Sequence, residues 1–378
     1  MTRAESRALD EGQPSRRPSR RLIVGLVVAG LCALVSLGFD VVNGGAVNFT
    51  IALALAMAPV PLLLAAVLAL DRLEPEPRGN LIFAFAWGAG IAVLVAGLLN
   101  TLGLLYLVKE VDLNPTQARS LAATFGAPVV EETLKGLVLL GMLRFRRQEL
   151  DGPTDGIIYA SMVGLGFAMS ENVGYYASAL NTGAADLAVT VVLRGLLSPF
   201  AHPLFTSLIG IAVAYAAQRH GPIRIWVIAA GWAGAMILHG LWNGLASYAG
   251  YVGLITAYLI LMVIFVLLIA IVIAERRRLL RLIARYMPAY QGTGLVGSVD
   301  LFMLSSLRAR REARQWARAH GGVAAARAMG DYQQAATELV LLHQRLERKV
   351  VDPPGFSVQQ SGLLHAMAVA RAAFPNVA

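Results

Sequence analysis

Between residues 131 and 243 the chain keeps acids, bases and amides inside segments that are otherwise apolar: Glu131, Glu132 and Lys135, then Glu171 and Asn172, then Arg194 and His202, and finally His239 and Asn243. A charge at mid-bilayer costs about 2.5–3.5 kcal/mol on insertion scales, so such residues need a reason. Hydrolysis supplies one. A carboxylate can take a proton from water as general base, and imidazole or amide donors can steady the oxyanion that develops on a scissile carbonyl. Glu131, Glu132, His202, His239 and Asn243 are the candidate catalytic groups, with Lys135, Glu171, Asn172 and Arg194 supporting them. The same set offers a metal site through His202, His239 and Glu131, with water in the open position. The residues do not separate these two mechanisms, so the cofactor is either none or a divalent metal such as zinc. The absence of an HExxH helix argues against a zincin-type site.

A structural reading competes with the chemical one. Glu131 and Lys135, four residues apart, suit an ion pair, and histidines hydrogen-bond across membrane helices. Depth favours chemistry, because at about 1.5 Å of rise per residue the groups lie roughly 12–20 Å below the outer boundary on four different helices. On the fourth helix Glu131 and Lys135 share a face, with Glu132 about 100° around. On the seventh, His239 and Asn243 are one turn apart and suit a common ligand or water.

The elements that must position these residues are membrane helices. The chain is 57% hydrophobic and 15% charged, whereas a soluble domain carries roughly 25% charge. Apolar runs predict eight spans near 22–42, 49–70, 81–108, 121–143, 154–179, 187–217, 225–248 and 253–274. The expected fold is all-α: a polytopic membrane helix bundle of about eight transmembrane helices with a helical cytoplasmic C-terminal tail. The expected domains are an N-terminal cytoplasmic tail over 1–21, a transmembrane domain over 22–274 and a cytoplasmic tail over 275–378.

The formal charge of +9 does not point to nucleic acid, because the arginines cluster beside apolar spans, as at Arg144, Arg146 and Arg147 and again from Arg276 to Arg278. That is the positive-inside pattern, and it predicts a multi-pass plasma-membrane protein with both termini in the cytoplasm. Leu279, Leu280, Leu282 and Ile283, interleaved with arginines, read as a basic amphipathic helix on anionic lipid. Cys32 is the single cysteine, which excludes an internal disulfide or a multi-thiolate zinc site. Gly164 and Gly166 suit close helix packing, Asp155 suits a helix N-terminus, and Pro199 and Pro203 should distort the sixth span around His202.

At these residues the chain resembles the PrsW family of bacterial intramembrane proteases, relatives of the type II CAAX prenyl endopeptidases and the Abi proteins. The matching segments are DRLEPEP at 71–77, EETLK at 131–135, DGIIY at 155–159, GLGFAMSEN at 164–172, His202 after Pro199, Phe200 and Ala201, and HGLWN at 239–243. The resemblance implies a membrane endopeptidase that cuts a transmembrane or membrane-anchored protein, such as an anti-sigma factor, toward the outer side of the membrane. By it, Glu131 and Glu132 are the motif acids, Lys135 is their cationic partner where CAAX relatives carry Arg, and Glu171, His202, His239 and Asn243 complete the site. Families of this group are described as metalloproteases, while the CAAX relatives support a metal-free glutamate mechanism, which is preferred here. The implied partners are a transmembrane protein substrate and membrane lipids. The rival function is a transporter or channel using the same Glu, His and Arg residues, although no second copy of the EETLK or GluAsn segments is present to mark an internal repeat. A silent scaffold is the third reading.

Overall fold

The computed structural model describes residues 19–70 and 75–374, and among them every regular element is a helix. The expected tail before residue 19 and the acids Asp71 and Glu74 of the linker lie outside the described residues. Two compact units are present, one of residues 19–70 and 76–271, the other running from Val272 onward together with Pro75.

The first unit holds α1 (Arg20–Gly44), α2 (Ala46–Leu70), α3 (Arg78–Lys109), α4 (Ala127–Phe145), α5 (Pro153–Thr182), α6 (Ala184–Ala217), α7 (Ile223–Tyr248) and the first part of α8 (Gly250–Tyr286). Among the described residues six helices are long and apolar enough to cross a membrane: α1, α2, α3, α6, α7 and α8, the last continuing to Thr293. Their outward faces carry large apolar side chains such as Val24, Leu34, Leu62 and Ile237, as lipid contact requires. The other two expected spans do form helices, α4 and α5. They fall short in apolar character because they carry the polar residues: Glu131, Glu132, Lys135 and Arg144 on α4, and Asp155 and Glu171 on α5.

Helix α5 is the axis of this unit, and every residue from Asp155 to Ala168 is buried. Pro153 opens it at a position where no amide hydrogen is needed. The Asp155 carboxylate accepts from the backbone amides of Asp151 and Gly152, both at 2.7 Å, so it is the helix N-terminal residue the sequence suggested. Two glycines let α5 and α6 touch backbone to backbone. A Cβ on Gly156 would stand 2.2 Å from the Gly210 carbonyl oxygen, and one on Gly164 would stand 2.6 Å from Pro203 N and 2.8 Å from the His202 carbonyl carbon.

Helix α6 is interrupted as its prolines predict. A π-helical turn, Val191–Leu197, is followed by a non-helical step at Ser198–Phe200, and the regular helix restarts at Ala201, one residue before His202.

The second unit comprises the end of α8, α9 (Ser298–Leu304), α10 (Leu307–Glu347, bent at Gly322 where φ is 72°) and α11 (Pro353–Ala372) around Met287, Leu304, Tyr332, Leu339 and Met367. Leu279 and Ile283 join this core, so the apolar face expected to lie on lipid is covered by protein instead.

Because the Gly164 position abuts the backbone that carries His202, Gly164→Val should cost about 1–3 kcal/mol by overpacking. A lowered Tm of the purified protein in detergent is the expected outcome, and an unchanged Tm would mean that α5 and α6 separate freely.

Candidate active site

Four helices converge on one buried cluster. Helix α4 supplies Glu131, Glu132 and Lys135, α5 supplies Glu171, α6 supplies Arg194 and His202, and α7 supplies His239. Glu132 and Lys135 are fully buried, and Glu131, His202 and His239 are each at most 8% exposed.

Lys135 stands at the centre. Its Nζ donates to Glu132 Oε1 at 2.8 Å, to Glu131 Oε2 at 3.4 Å and to His202 Nδ1 at 2.9 Å. The expected Glu131–Lys135 pair is present, but the shorter contact is to Glu132, because the flexible lysine stem reaches both acids of the pair. Its ammonium also lies 4.0 Å from the Phe167 ring centroid, a cation–π contact.

Glu132 is the more heavily bonded of the two acids. Oε1 also accepts from His239 Nδ1 at 3.0 Å, and Oε2 accepts from Thr206 Oγ1 at 2.9 Å. Glu131 is held more loosely, by Asn100 Nδ2 at 3.2 Å and by Lys135, and its Oε2 lies 4.0 Å from His239 Nε2.

These partners assign the imidazole protons. Ammonium only donates, so His202 Nδ1 accepts from Lys135 and its Nε2–H donates to Glu171 Oε2 at 3.0 Å. His239 Nδ1 faces a carboxylate and therefore donates, which leaves Nε2 turned toward Glu131. Phe205 stacks on the His239 ring with centroids 4.7 Å apart and fixes its plane. Glu171 is bound in turn by the Arg194 guanidinium, whose Nε donates to Asn172 Oδ1 at 2.7 Å and whose plane lies 3.7 Å from the Tyr175 ring centroid. Among the described residues, Asn172 thus reaches the cluster only through Arg194.

Asn243 is engaged differently from its expected role beside His239. Its Nδ2 donates to the Ala123 carbonyl at 2.8 Å, within the π-helical turn Ala122–Gly126 that leads into α4. Two other π turns border the site, Trp87–Ala92 in α3 and Val191–Leu197 in α6. In each, a side chain covers a carbonyl: Ser170 Oγ bonds Ala89 O at 2.8 Å, and Ser198 Oγ bonds Leu193 O at 2.7 Å. Such turns cluster at functional sites, and in an apolar bundle their carbonyls need partners.

Asn100 and Thr206 are site residues that reasoning from sequence missed. Each carried a signal, since Asn100 is an amide inside an apolar span and Thr206 lies one turn beyond His202 on the same face.

One ligand atom from each of Glu131, His202 and His239 lies within 4.8 Å of the other two. One carboxylate and two imidazoles suit zinc by type, and each imidazole has a carboxylate behind it, Glu132 for His239 and Glu171 for His202, as metal-bound histidines usually do.

A helical membrane bundle with a buried carboxylate, imidazole and ammonium centre is the class these features define. The family model for the "PrsW family intramembrane metalloprotease" matches residues 76–270, just over half of the chain, which contains every site residue above. The chain belongs to the PrsW family and is a multi-pass membrane protein. It is similar to proteins named Protease PrsW from Oceanobacillus iheyensis (28% identity over 37% of this chain and 61% of that protein), Geobacillus kaustophilus (26%, over 46% and 70%) and Clostridioides difficile (29%, over 38% and 57%). The chain therefore spans roughly three fifths of the length of these curated relatives. No solved structure matches the chain.

Thr206 contributes a donor to a fully buried carboxylate, so Thr206→Val should destabilise the protein by about 1–3 kcal/mol at nearly unchanged volume. Denaturation in detergent checks this, with wild-type stability as the contrary result.

Proposed function

We propose that the chain is an intramembrane endopeptidase that cleaves a membrane-anchored protein, such as an anti-sigma factor, toward the outer side of the membrane. The observation that carries this reading is the meeting of Glu131, His202 and His239 within 4.8 Å, beside a buried ammonium, inside the family-matched segment. Family membership and the relatives named as proteases support it.

The two glutamates divide the work. Glu132 is committed to Lys135, His239 and Thr206, so it orients the imidazole and neutralises the ammonium. Glu131 has capacity left, and the 4.0 Å gap between its Oε2 and His239 Nε2 suits a bridging water. Glu131 is the general base: it takes a proton from that water as the oxygen attacks the scissile carbonyl carbon and returns the proton to the leaving amine as the C–N bond breaks, while His239 Nε2, an acceptor in this tautomer, takes the water's other hydrogen and orients it. Lys135 supplies positive potential at a low dielectric, where it favours an oxyanion. His202, fixed between Lys135 and Glu171, keeps the ammonium in position. Asn243 acts through the Ala123 carbonyl, holding the turn that aims α4.

If a divalent metal is bound, Glu131, His202 and His239 would hold it, and it would supply Lewis-acid polarisation and a more acidic water. The residues in place fit that group by type and proximity.

An apolar groove of about 440 Å3, lined by Thr124, Phe125, Pro128, Ile237, Gly240 and Leu241, supports a membrane-embedded substrate, since Gly240 follows His239 and Pro128 lies one turn before Glu131 and Glu132. The count of eight spans, with α4 and α5 crossing inside the bundle, and the cytoplasmic placement of both termini complete the proposal. The count rests on the apolar runs and the orientation on the arginine-rich loops on one side.

The test is cleavage of single-pass membrane proteins in cells expressing wild type, Glu131→Gln, His202→Ala or His239→Ala at matched membrane levels. Glu131→Gln should lower the rate on the order of 10²–10⁴-fold, the usual contribution of a general base. Normal cleavage by that variant would remove Glu131 from the reaction, and no cleavage by wild type of any membrane-anchored protein would favour the transporter reading.

A further inference from the structure

The ammonium of Lys135 occupies the lone pairs that a metal ion would need. His202 has one lone pair, on Nδ1, and Lys135 Nζ takes it at 2.9 Å; its other nitrogen carries the proton given to Glu171. Glu131 Oε2, the carboxylate oxygen nearest His239 Nε2, is also the one 3.4 Å from Lys135 Nζ. Two of the three groups able to hold a metal therefore already serve a cation that belongs to the chain.

We propose that Lys135 is a built-in competitor of the metal: ammonium and divalent ion are mutually exclusive occupants of the centre formed by Glu131, His202 and His239. Lys135 holds the donors in register when no metal is present, and a metal binds only when the ammonium withdraws from His202 and Glu131. Electrostatics points the same way. Like charges a few ångströms apart in a water-excluded site repel far more strongly than in water, and Phe167 and Phe205 line this site against solvent.

The inference rests on the reading of this cluster as the reaction centre, but its readout is metal binding, so either can fail without the other. Zn2+ alone is titrated calorimetrically into purified, chelator-treated full-length protein in detergent, using wild type, Lys135→Gln and Lys135→Arg. Lys135→Gln should bind one Zn2+ at least tenfold more tightly than wild type, about 1.4 kcal/mol. It should also show a lower Tm in chelator and a larger rise on adding Zn2+ than wild type, because the metal replaces the lost cation. In the Lys135→Gln background, His239→Ala should abolish the tight binding.

Lys135→Arg keeps a cation between the donors and should bind Zn2+ no more tightly than wild type. If Lys135→Gln does not accumulate, this variant decides. Zn2+ binding that is unchanged or weaker in Lys135→Gln, tighter in Lys135→Arg, insensitive to His239→Ala, or absent from every variant overturns the proposal.

Discussion

One ammonium between two carboxylates and an imidazole is the interaction on which the rest of this bundle depends. Lys135 and Glu132 are fully buried among membrane helices, where an unpaired charge would drive the helix out or be neutralised. Pairing alone does not repay desolvation; the remaining lone pairs need donors as well. The structure meets that need from four directions, with Asn100 on Glu131, Thr206 and His239 on Glu132, and Glu171 behind His202. Arg194 closes the network at its more exposed edge, over Tyr175.

The backbone is shaped by the same demand. Side chains from several helices reach one point only if the helices approach closely, and glycines at Gly156, Gly164 and Gly210 permit contact at backbone distance. Three π-helical turns re-aim the helices around the site, and Ser170, Ser198 and Asn243 cover the carbonyls those turns release. Packing, polar satisfaction and placement of the reactive groups are thus parts of one solution.

Much of this was legible in the sequence, for a physical reason. Charged residues inside apolar runs are costly enough to stand out one by one, so Glu131, Glu132, Lys135, Glu171, Arg194, His202 and His239 could be named, and the structure brings them together. The break before His202 followed from Pro199 and Pro203. Helical periodicity gave the Glu131–Lys135 pair but neither the shorter Lys135 contact to Glu132, which the flexible stem also reaches, nor the Asn243 bond to Ala123, because the π turn that presents that carbonyl leaves no periodic signature. Asn100 and Thr206 went unnoticed since small neutral polar groups cost little and occur in many membrane helices. The count of eight spans met the same conflict from the other side: residues that give α4 and α5 their chemistry remove the apolar character by which a span is recognised.

The division of roles between Glu131 and Glu132 follows from this network rather than from the motif, which presents two equal acids. Glu132 accepts from three donors, Lys135, His239 and Thr206, and in the proposed mechanism this leaves Glu131, beside His239 Nε2, to act on water. The measurement that tests this most directly is a double-mutant cycle on Glu132→Gln and Lys135→Met, read as unfolding free energy in detergent. The account predicts that each single change is severely destabilising, that the double change is much less so than their sum, and that the coupling is about 2 kcal/mol or more. Additivity within about 0.5 kcal/mol would contradict it, because the buried ammonium and carboxylate would then not be holding each other in place.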